Sequence, residues 1–396
     1  MSRALSFVVF FGILLLLTGL VHYYVWARLV RDVGFSPPVH RALSGALLAL
    51  YLSIPATFLL GRVLELELAK AVLWGAFIWM GMLLLLLVVL TGFDLLRGAL
   101  LLGSRVLGHE SPDPERRRFL ARAFALGAVL VTSGLGALSL RSGLGRVALR
   151  EVRVKLERLP SELDGVTIVQ LSDVHIGPTI GRDFVEEIVR RTNELEPDVV
   201  AITGDLVDGS VEELALHVAP LAKLRARYGV FFVTGNHEYY SGAQAWCDEL
   251  TRLGVRVLRN EHVPVGVGEV SFDLAGIDDF QAHQFGNGHG ADLKRALLGR
   301  DASRELVLLA HQPRAVHEAQ EHGVGLVLSG HTHGGQIWPW NWMVRLQQPV
   351  VSGLARFGRT LVYVSNGTGY WGPPMRLGAP AEITKLVLLA PAEAVA

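Results

Sequence analysis

The sequence predicts an α/β protein preceded by an N-terminal bundle of membrane-spanning helices. Three observations predict it. Four long stretches before residue 141 contain no Asp, Glu, Lys or Arg. After residue 150, short apolar runs alternate with amphipathic stretches. Five of those apolar runs end on an Asp, Asn or His.

Of 396 residues, 51% are hydrophobic and 19% charged, which is more apolar than an ordinary soluble protein. The excess is concentrated in the charge-free runs Ala4–Ala27, Ala42–Gly61, Ala71–Phe93 and Ala123–Leu140. A helix rising about 1.5 Å per residue needs roughly 20 residues to cross about 30 Å of hydrocarbon. Each run is near or above that length and lacks the polar face that a helix on a soluble domain presents. Four spanning helices are therefore expected, over 4–27, 42–61, 71–93 and 119–140. Pro55 falls in the second, where a spanning helix accommodates proline as a kink. The absence of formal charge in the runs disfavours a transporter, which needs polar groups inside the membrane.

Short-loop charge sets the expected orientation. The loop after the first helix carries Arg28, Arg31 and Arg41, and the loop after the third carries Arg97, Arg105, Arg116, Arg117, Arg118 and Arg122. The opposite face has only Arg3, Arg62 and Lys70. The positive-inside bias puts the two arginine-rich loops in the cytoplasm and everything after Leu140 on the extracytoplasmic side. Arg141, Arg146 and Arg150 oppose that assignment. The segment "RRRFLARAFALGAVL" from Arg116 fits either an arginine-rich membrane flank or a twin-arginine export signal lacking the usual lysine, and both give the same orientation.

The 37 basic and 37 acidic residues cancel, so no global basic field exists to gather nucleic acid. Cys247 is the only cysteine, which excludes an internal disulfide framework and a cysteine zinc cage.

From Glu151 onward the order "VTIVQL", "DFVEEIVRRTNEL", "DVVAIT", "VEELALHVAPLAKL", "VFFVT" reads strand, helix, strand, helix, strand. In the first helical stretch Phe184, Val185, Ile188, Val189 and Leu195 share one face, while Glu186, Glu187, Arg190 and Arg191 take the other. The strands are continuous apolar runs, as expected when both faces are covered by helices.

The strand ends carry the chemistry. "VTIVQL" runs into Ser172, Asp173, Val174 and His175; "DVVAIT" into Gly204 and Asp205; "VFFVT" into Gly235, Asn236, His237 and Glu238; "ELVLLA" into His311; and "GVGLVLS" into Gly330, His331, Thr332 and His333. Ligands of α/β sheets collect at the carboxyl ends of strands. In extended chain, residues two apart face the same side, which would pair Asp173 with His175 and aim His331 and His333 into one crevice. The glycines before Asp205, Asn236 and His331 allow close approach of the backbone. Oxygen and imidazole donors without thiolate suit manganese, iron or catalytic zinc, and seven ligands suit two ions.

The ordered series Asp-x-His, Gly-Asp, Gly-Asn-His-Glu, lone His and Gly-His-Thr-His, from Asp173 to His333, resembles the calcineurin-like metallophosphoesterases. "SGHTHGGQ" and "SNGTGYWGPPMRLGAPAEI" are similar to a membrane-associated branch that includes bacterial cell-envelope proteins and transmembrane proteins with a metallophosphoesterase domain. The resemblance implies a sandwich of two mixed β-sheets flanked by helices. It gives a transmembrane region over 1–140, a linker with the first strand over 141–160, and the phosphoesterase domain over 161–396. It implies two divalent ions, manganese, iron or zinc. Asp173, His175 and His333 would hold the first, Asn236, His311 and His331 the second, with Asp205 bridging. His237 would be a non-ligand that steadies or protonates the departing oxygen. Glu238 stands where many members have Asp.

Such a centre hydrolyses phosphate esters or diphosphates. Two cations neutralise the anionic phosphate, and a water they share loses its proton near neutral pH. A carboxylate such as Asp205 can bridge them, and His237 is placed for proton transfer. The membrane spans favour a lipid-linked or envelope phosphate as substrate, with the bilayer as the only other partner expected. Cleavage of UDP-2,3-diacylglucosamine in lipid A synthesis is the alternative that the branch suggests, although its cytoplasmic donor conflicts with the orientation above. A non-enzymatic receptor or scaffold is disfavoured because no ligand is missing. Outside the series, His217, His283, His289, His317 and His322 are unassigned, Asp278 and Asp279 fit a turn or the crevice wall, and Trp338, Trp340 and Trp342 fit a lipid-facing wall or a loop packed on the core.

Overall fold

The computed structural model describes residues 3–63, 66–107, 113–286 and 288–391. The last five positions of the expected phosphoesterase domain, 392–396, lie outside the described residues. Contacts divide the chain into two units, Met1–Arg141 with Gly372–Met375, and the remainder.

The first unit contains α1 (Arg3–Trp26), which continues as a π-helical turn over Ala27–Arg31, α2 (Pro37–Val63), α3 (Leu66–Val106) and α4 (Pro114–Gly143). All four are long and apolar enough to cross a membrane. They extend past the charge-free runs because nothing at the run ends breaks a helix. α3, for example, continues through Asp94, Arg97 and Arg105 on a stretch rich in leucine, alanine and arginine, strong helix formers that outweigh Gly98 and Gly103. Leu83, Leu86 and Leu90 lie at helical spacing on one face of α3 and pack with Val25, Ile54 and Ala128. Leu16, Leu17, Leu20, Leu130 and Leu138 point outward and are more than half exposed. His22 is buried among the helices and satisfied at both nitrogens: Nδ1 donates to the Thr18 carbonyl at 2.7 Å, and Nε2 accepts from Trp79 Nε1 at 2.9 Å. Arg28 pairs with Asp32 at 2.9 Å and with Asp94 at 2.8 Å, and Arg122 Nε donates to the Val33 carbonyl at 3.1 Å. These links hold the two arginine-rich loops at one end of the unit.

The second unit is built on twelve strands: β1 (Ala148–Lys155), β2 (Thr167–Leu171), β3 (Val199–Thr203), β4 (Val230–Val233), β5 (Arg256–Val257), β6 (Glu261–Val267), β7 (Val270–Gly276), β8 (Leu306–Leu309), β9 (Leu326–Ser329), β10 (Gly353–Phe357), β11 (Thr360–Val364) and β12 (Glu382–Leu389). They form two six-stranded sheets, ordered β1-β12-β2-β3-β4-β5 and β10-β11-β9-β8-β7-β6. Both are mixed: β12 is antiparallel to β2, β6 to β7 and β10 to β11, while the central strands run parallel.

Alternation along each strand makes the layers. In β3, Val199 and Ala201 face the core between the sheets, where they meet Phe272, Leu274, Val307 and Leu328 of the other sheet. Val200 and Ile202 face outward, against Val185, Ile188 and Val189 of α5 (Arg182–Asn193), Leu214 and Val218 of α6 (Val211–Val218), and Trp246 and Leu250. The opposite sheet turns Leu306, Leu308, Val327 and Val362 onto Leu293, Ala296, Val316 and Ala319. Both faces of each central strand are buried, which is why the runs read as unbroken apolar sequence. The helical face of α5 differs slightly from expectation. Thr192 completes its buried stripe, and Leu195 lies beyond the helix end, packed on the edge of the same cluster.

Gln170 joins the sheets behind the strand ends. Its buried amide donates to Thr203 Oγ1 at 2.8 Å and to the Ser329 carbonyl at 2.9 Å. That link fixes the ends of β2, β3 and β9 against one another. Phe272 is fully buried between the sheets, so Phe272→Ala is expected to destabilise the unit by about 3–5 kcal/mol. The expected reading is a lower unfolding midpoint in thermal or denaturant melts of the detergent-solubilised chain, and an unchanged midpoint would contradict a core at that position.

Candidate metal centre

All seven candidate ligands converge at one rim of the sandwich, supplied by the loops after β2, β3, β4, β8 and β9. Asp173, His175 and His333 form one group whose donor atoms lie within 4.8 Å of one another, and Asp205, His311 and His331 form a second. In the first, His175 Nε2 and His333 Nε2 are 3.1 Å apart, and His333 Nε2 is 3.5 Å from Asp173 Oδ1. In the second, His311 Nε2 is 3.0 Å from Asp205 Oδ2 and 3.2 Å from His331 Nδ1. Asn236 opens α7 (Asn236–Ser241), and its buried Oδ1 has no hydrogen-bond partner among the described residues.

Asp173 and His175 do face one point, but not through an extended chain. β2 ends at Leu171, and both residues adopt left-handed backbone, with φ 51° and 54°. Asp205, His331 and His333 are also left-handed, at 50°, 70° and 50°. Five of the eight non-glycine residues with positive φ among the described residues are thus candidate ligands. Such conformations cost about 1–3 kcal/mol each and persist only where surrounding contacts impose them. The two histidines of the last motif part company: His333 turns to Asp173 and His175, and His331 to His311.

Glycine permits the crowding. A Cβ on Gly330 would lie 2.0 Å from Ser172 Oγ and 2.1 Å from Asp173 Oδ2, and one on Gly235 would lie 2.2 Å from Asp205 Oδ1. The loops are then pinned by two buried charges. Glu238 accepts from the backbone N–H of Asp205, Leu206, Val207 and Gly235 at 2.6–3.3 Å. Arg376, fully buried, donates to the carbonyls of Gly369, His333 and Ala379 and lies 3.3 Å from His333 Nδ1.

Asp208 was not among the expected site residues, yet it sits inside the site. Its carboxylate accepts from His175 Nδ1 at 3.1 Å and from His237 Nδ1 at 2.6 Å. The signal was available in "GDLVDG", where a second aspartate follows Asp205 by one turn of loop, but such an aspartate reads equally as a turn residue. His237 Nε2 then lies 4.0 Å from Asp205 Oδ2. The rings of Tyr240 and Trp371 pack edge-on to His237 at centroid distances of 5.4 and 5.5 Å.

Electrostatics separates the histidines. Burial would lower the His237 imidazole, but the charge of Asp205 and the hydrogen bond to Asp208 outweigh it and hold the ring at about 9. His331 is pushed down to about 3, first by burial and then by the positive charge of His311. His333 also falls well below its ordinary value through burial and the charges of His175 and Arg376. Asp205 stays ionised despite burial because His311 and His237 surround it. His311 rises well above its ordinary value, because the charge of Asp205 overcomes burial. Asp205 and His311 would help to hold a divalent cation, and the cation would compete with the His311 proton. A neutral His331, a neutral His333, an ionised Asp205 and an unpartnered amide oxygen on Asn236 form a donor set that fits hard or borderline divalent cations.

Residues 166–335 match the calcineurin-like phosphoesterase family. Across 388 residues the chain is 40% identical to the bovine (Bos taurus) transmembrane protein with metallophosphoesterase domain, covering 93% of this chain and 86% of that protein. The chain is a calcineurin-like metallophosphoesterase. The zebrafish (Danio rerio) transmembrane protein with metallophosphoesterase domain is 44% identical over 246 residues, which span 60% of this chain and 56% of its own length. Among solved structures, a dimetal phosphatase from Danio rerio is similar with TM-score 0.35 and 15% identity, covering 52% of this chain and 88% of that one.

Other residues singled out in the sequence of this metallophosphoesterase have identifiable partners, some at the edge of the centre and some away from it. Asp278 is held by Arg259 at 2.6–2.8 Å and lines a cleft that His311 also lines. Asp279 is buried and accepts from Gln312 Nε2 at 3.1–3.2 Å and from the Gln281 N–H at 2.7 Å. His289 Nδ1 lies 2.8 Å from Arg259, and His217 Nδ1 accepts from the Arg182 N–H at 3.1 Å. None of these histidines belongs to either ligand group. Trp338, Trp340 and Trp342 expose half or more of their surface, so the loop is not packed on the core.

Gly330→Ala is expected to reduce bound metal per chain severely, because its methyl group occupies the space of the Asp173 carboxylate. Elemental analysis of purified protein checks this; full metal content in the variant would contradict the close approach described.

Proposed function

We propose that this metallophosphoesterase holds two divalent cations and uses them to hydrolyse phosphate esters or diphosphates on lipid-linked or envelope substrates, with its catalytic unit on the extracytoplasmic side of the membrane. The observation that carries the reading is a pair of ligand groups at one rim, Asp173 with His175 and His333 and Asp205 with His311 and His331, each combining carboxylate and imidazole donors within 4.8 Å of one another.

Asp173, His175 and His333 would hold one cation, Asn236, His311 and His331 the other, and Asp205 both. When bound, the cations neutralise phosphate oxygens and make water nucleophilic at neutral pH. The protein supplies the rest. Left-handed loops held by Glu238 and Arg376 fix the donors before substrate arrives, which limits reorganisation during reaction. Asp208 fixes the His237 ring by accepting from Nδ1, so the Nε2 proton faces the Asp205 side. A protonated His237 can deliver that proton to the oxygen of the leaving group, a contribution of about 10²–10⁴-fold. Tyr240 and Trp371 limit water around its ring. Four apolar helices and the exposed Trp338, Trp340 and Trp342 support a substrate with a lipid portion.

Protein purified in detergent is expected to contain about two transition-metal ions per chain. Asp205→Asn should abolish hydrolysis of bis(p-nitrophenyl) phosphate. His237→Ala should lower kcat by about 10²–10⁴-fold and retain the ions. If His237→Ala strips the metal, the acid role assigned to it is wrong. Reporter fusions after Leu140 should be active only outside the cytoplasm; cytoplasmic signal alone would reverse the orientation.

A further inference from the structure

Beside the centre lies a cleft of about 600 Å³ that no step of the chemistry above uses. His311 forms part of its wall together with Ile277, Phe280, Ala310, Arg314 and Leu346. A single phosphoryl group fills only a small part of such a space, which is within the size range of pockets for whole organic ligands.

Arg314 is the unusual residue in it. Three nearby arginines have carboxylate partners: Arg259 holds Asp278 at 2.6 Å, and Arg300 and Arg304 flank Asp273 at 3.2 and 3.8 Å. Arg314, three residues beyond His311 and half-buried, has none within ion-pair distance among the described residues. Its guanidinium is nonetheless held in place. It lies over the Phe280 ring at 4.9 Å, Nη2 donates to the Gln347 carbonyl at 3.0 Å, and its backbone N–H donates to Gln348 Oε1 at 3.2 Å. Nε is buried and has no acceptor among the described residues. A guanidinium N–H donor that has lost water without gaining an acceptor is destabilising, and an anion from outside that reaches Nε would complete it. The acids on the cleft wall do not serve: Asp278 is occupied by Arg259, and Glu318 is exposed. A second cation, Arg345, lines the cleft, with its guanidinium 5.1 Å from the Trp342 ring centroid.

We propose that this cleft is the subsite for the portion of the substrate beyond the scissile phosphorus, and that Arg314 binds a second anionic group there, a neighbouring phosphoryl or a carboxylate. The inference rests on the phosphoesterase reading above. It makes Arg314 a specificity-determining residue that selects doubly charged substrates over singly charged diesters.

The test uses the full chain in detergent, loaded with manganese, and three probes. Bis(p-nitrophenyl) phosphate carries one negative charge. p-Nitrophenyl 4-carboxyphenyl phosphate adds a carboxylate, and a P1,P2-diaryl diphosphate adds a phosphoryl group. Arg314→Met is expected to lower kcat/KM for at least one doubly charged probe about 10-fold more than for the singly charged one, with Arg314→Lys intermediate. The probe that suffers identifies the second anion. Metal content and unfolding midpoint equal to wild type exclude misfolding as the cause. An equal loss on all three probes, or no loss on any, overturns the subsite. Wild-type protein that hydrolyses none of the probes overturns the hydrolase reading itself.

Discussion

The structure is organised around a concentration of buried charge. Asp173 and Asp205 are almost fully removed from water, and imidazoles from the loops after β2, β8 and β9 lie within 3.5 Å of them or of each other. Taking two carboxylates out of water is strongly unfavourable unless positive charge meets them there. The two groups of donor atoms are where cations, as proposed above, would supply that charge. The parallel central strands of both sheets end at this rim, and the sandwich core behind it is the platform that keeps five loops from relaxing apart.

The loops themselves are held in unfavourable conformations. Left-handed backbone at Asp173, His175, Asp205, His331 and His333 is a strain of about 1–3 kcal/mol per residue. Hydrogen bonds to charged groups are worth about 1.5–3 kcal/mol each, so the four N–H groups gathered by Glu238 and the acceptors gathered by Arg376 are of the right order to oppose it. Glu238 ties the β3 loop to the β4 loop, and Arg376 ties the C-terminal segment to His333. The centre is therefore stiff before any cation or substrate arrives, as electrostatic catalysis requires.

Much of this is legible in the sequence, for identifiable reasons. Continuous apolar runs mark strands covered on both faces, and motif residues at the ends of those runs mark the rim. The helix ends were not legible, because Asp94, Arg97 and Arg105 of α3 are charged yet favour helix, so a charge criterion stops the span earlier than the hydrogen bonds do. The backbone of the ligand loops was also hidden. Spacing of two suggests an extended chain, whereas the same convergence is achieved by left-handed residues that no propensity announces. Asp208 and Arg376 escaped notice because their partners, His175, His237 and His333, are distant in sequence. The polar link from Gln170 to Thr203 and Ser329 was concealed inside an apolar strand for the same reason.

The position of Asp208 between two imidazoles has an evolutionary corollary. On the roles proposed above, one carboxylate would set both the electron-donating strength of His175 toward an ion and the acidity of His237. Divergence in cation choice and divergence in leaving-group tolerance cannot then proceed independently through that residue. A lineage that retunes one must accept, or compensate elsewhere, a change in the other.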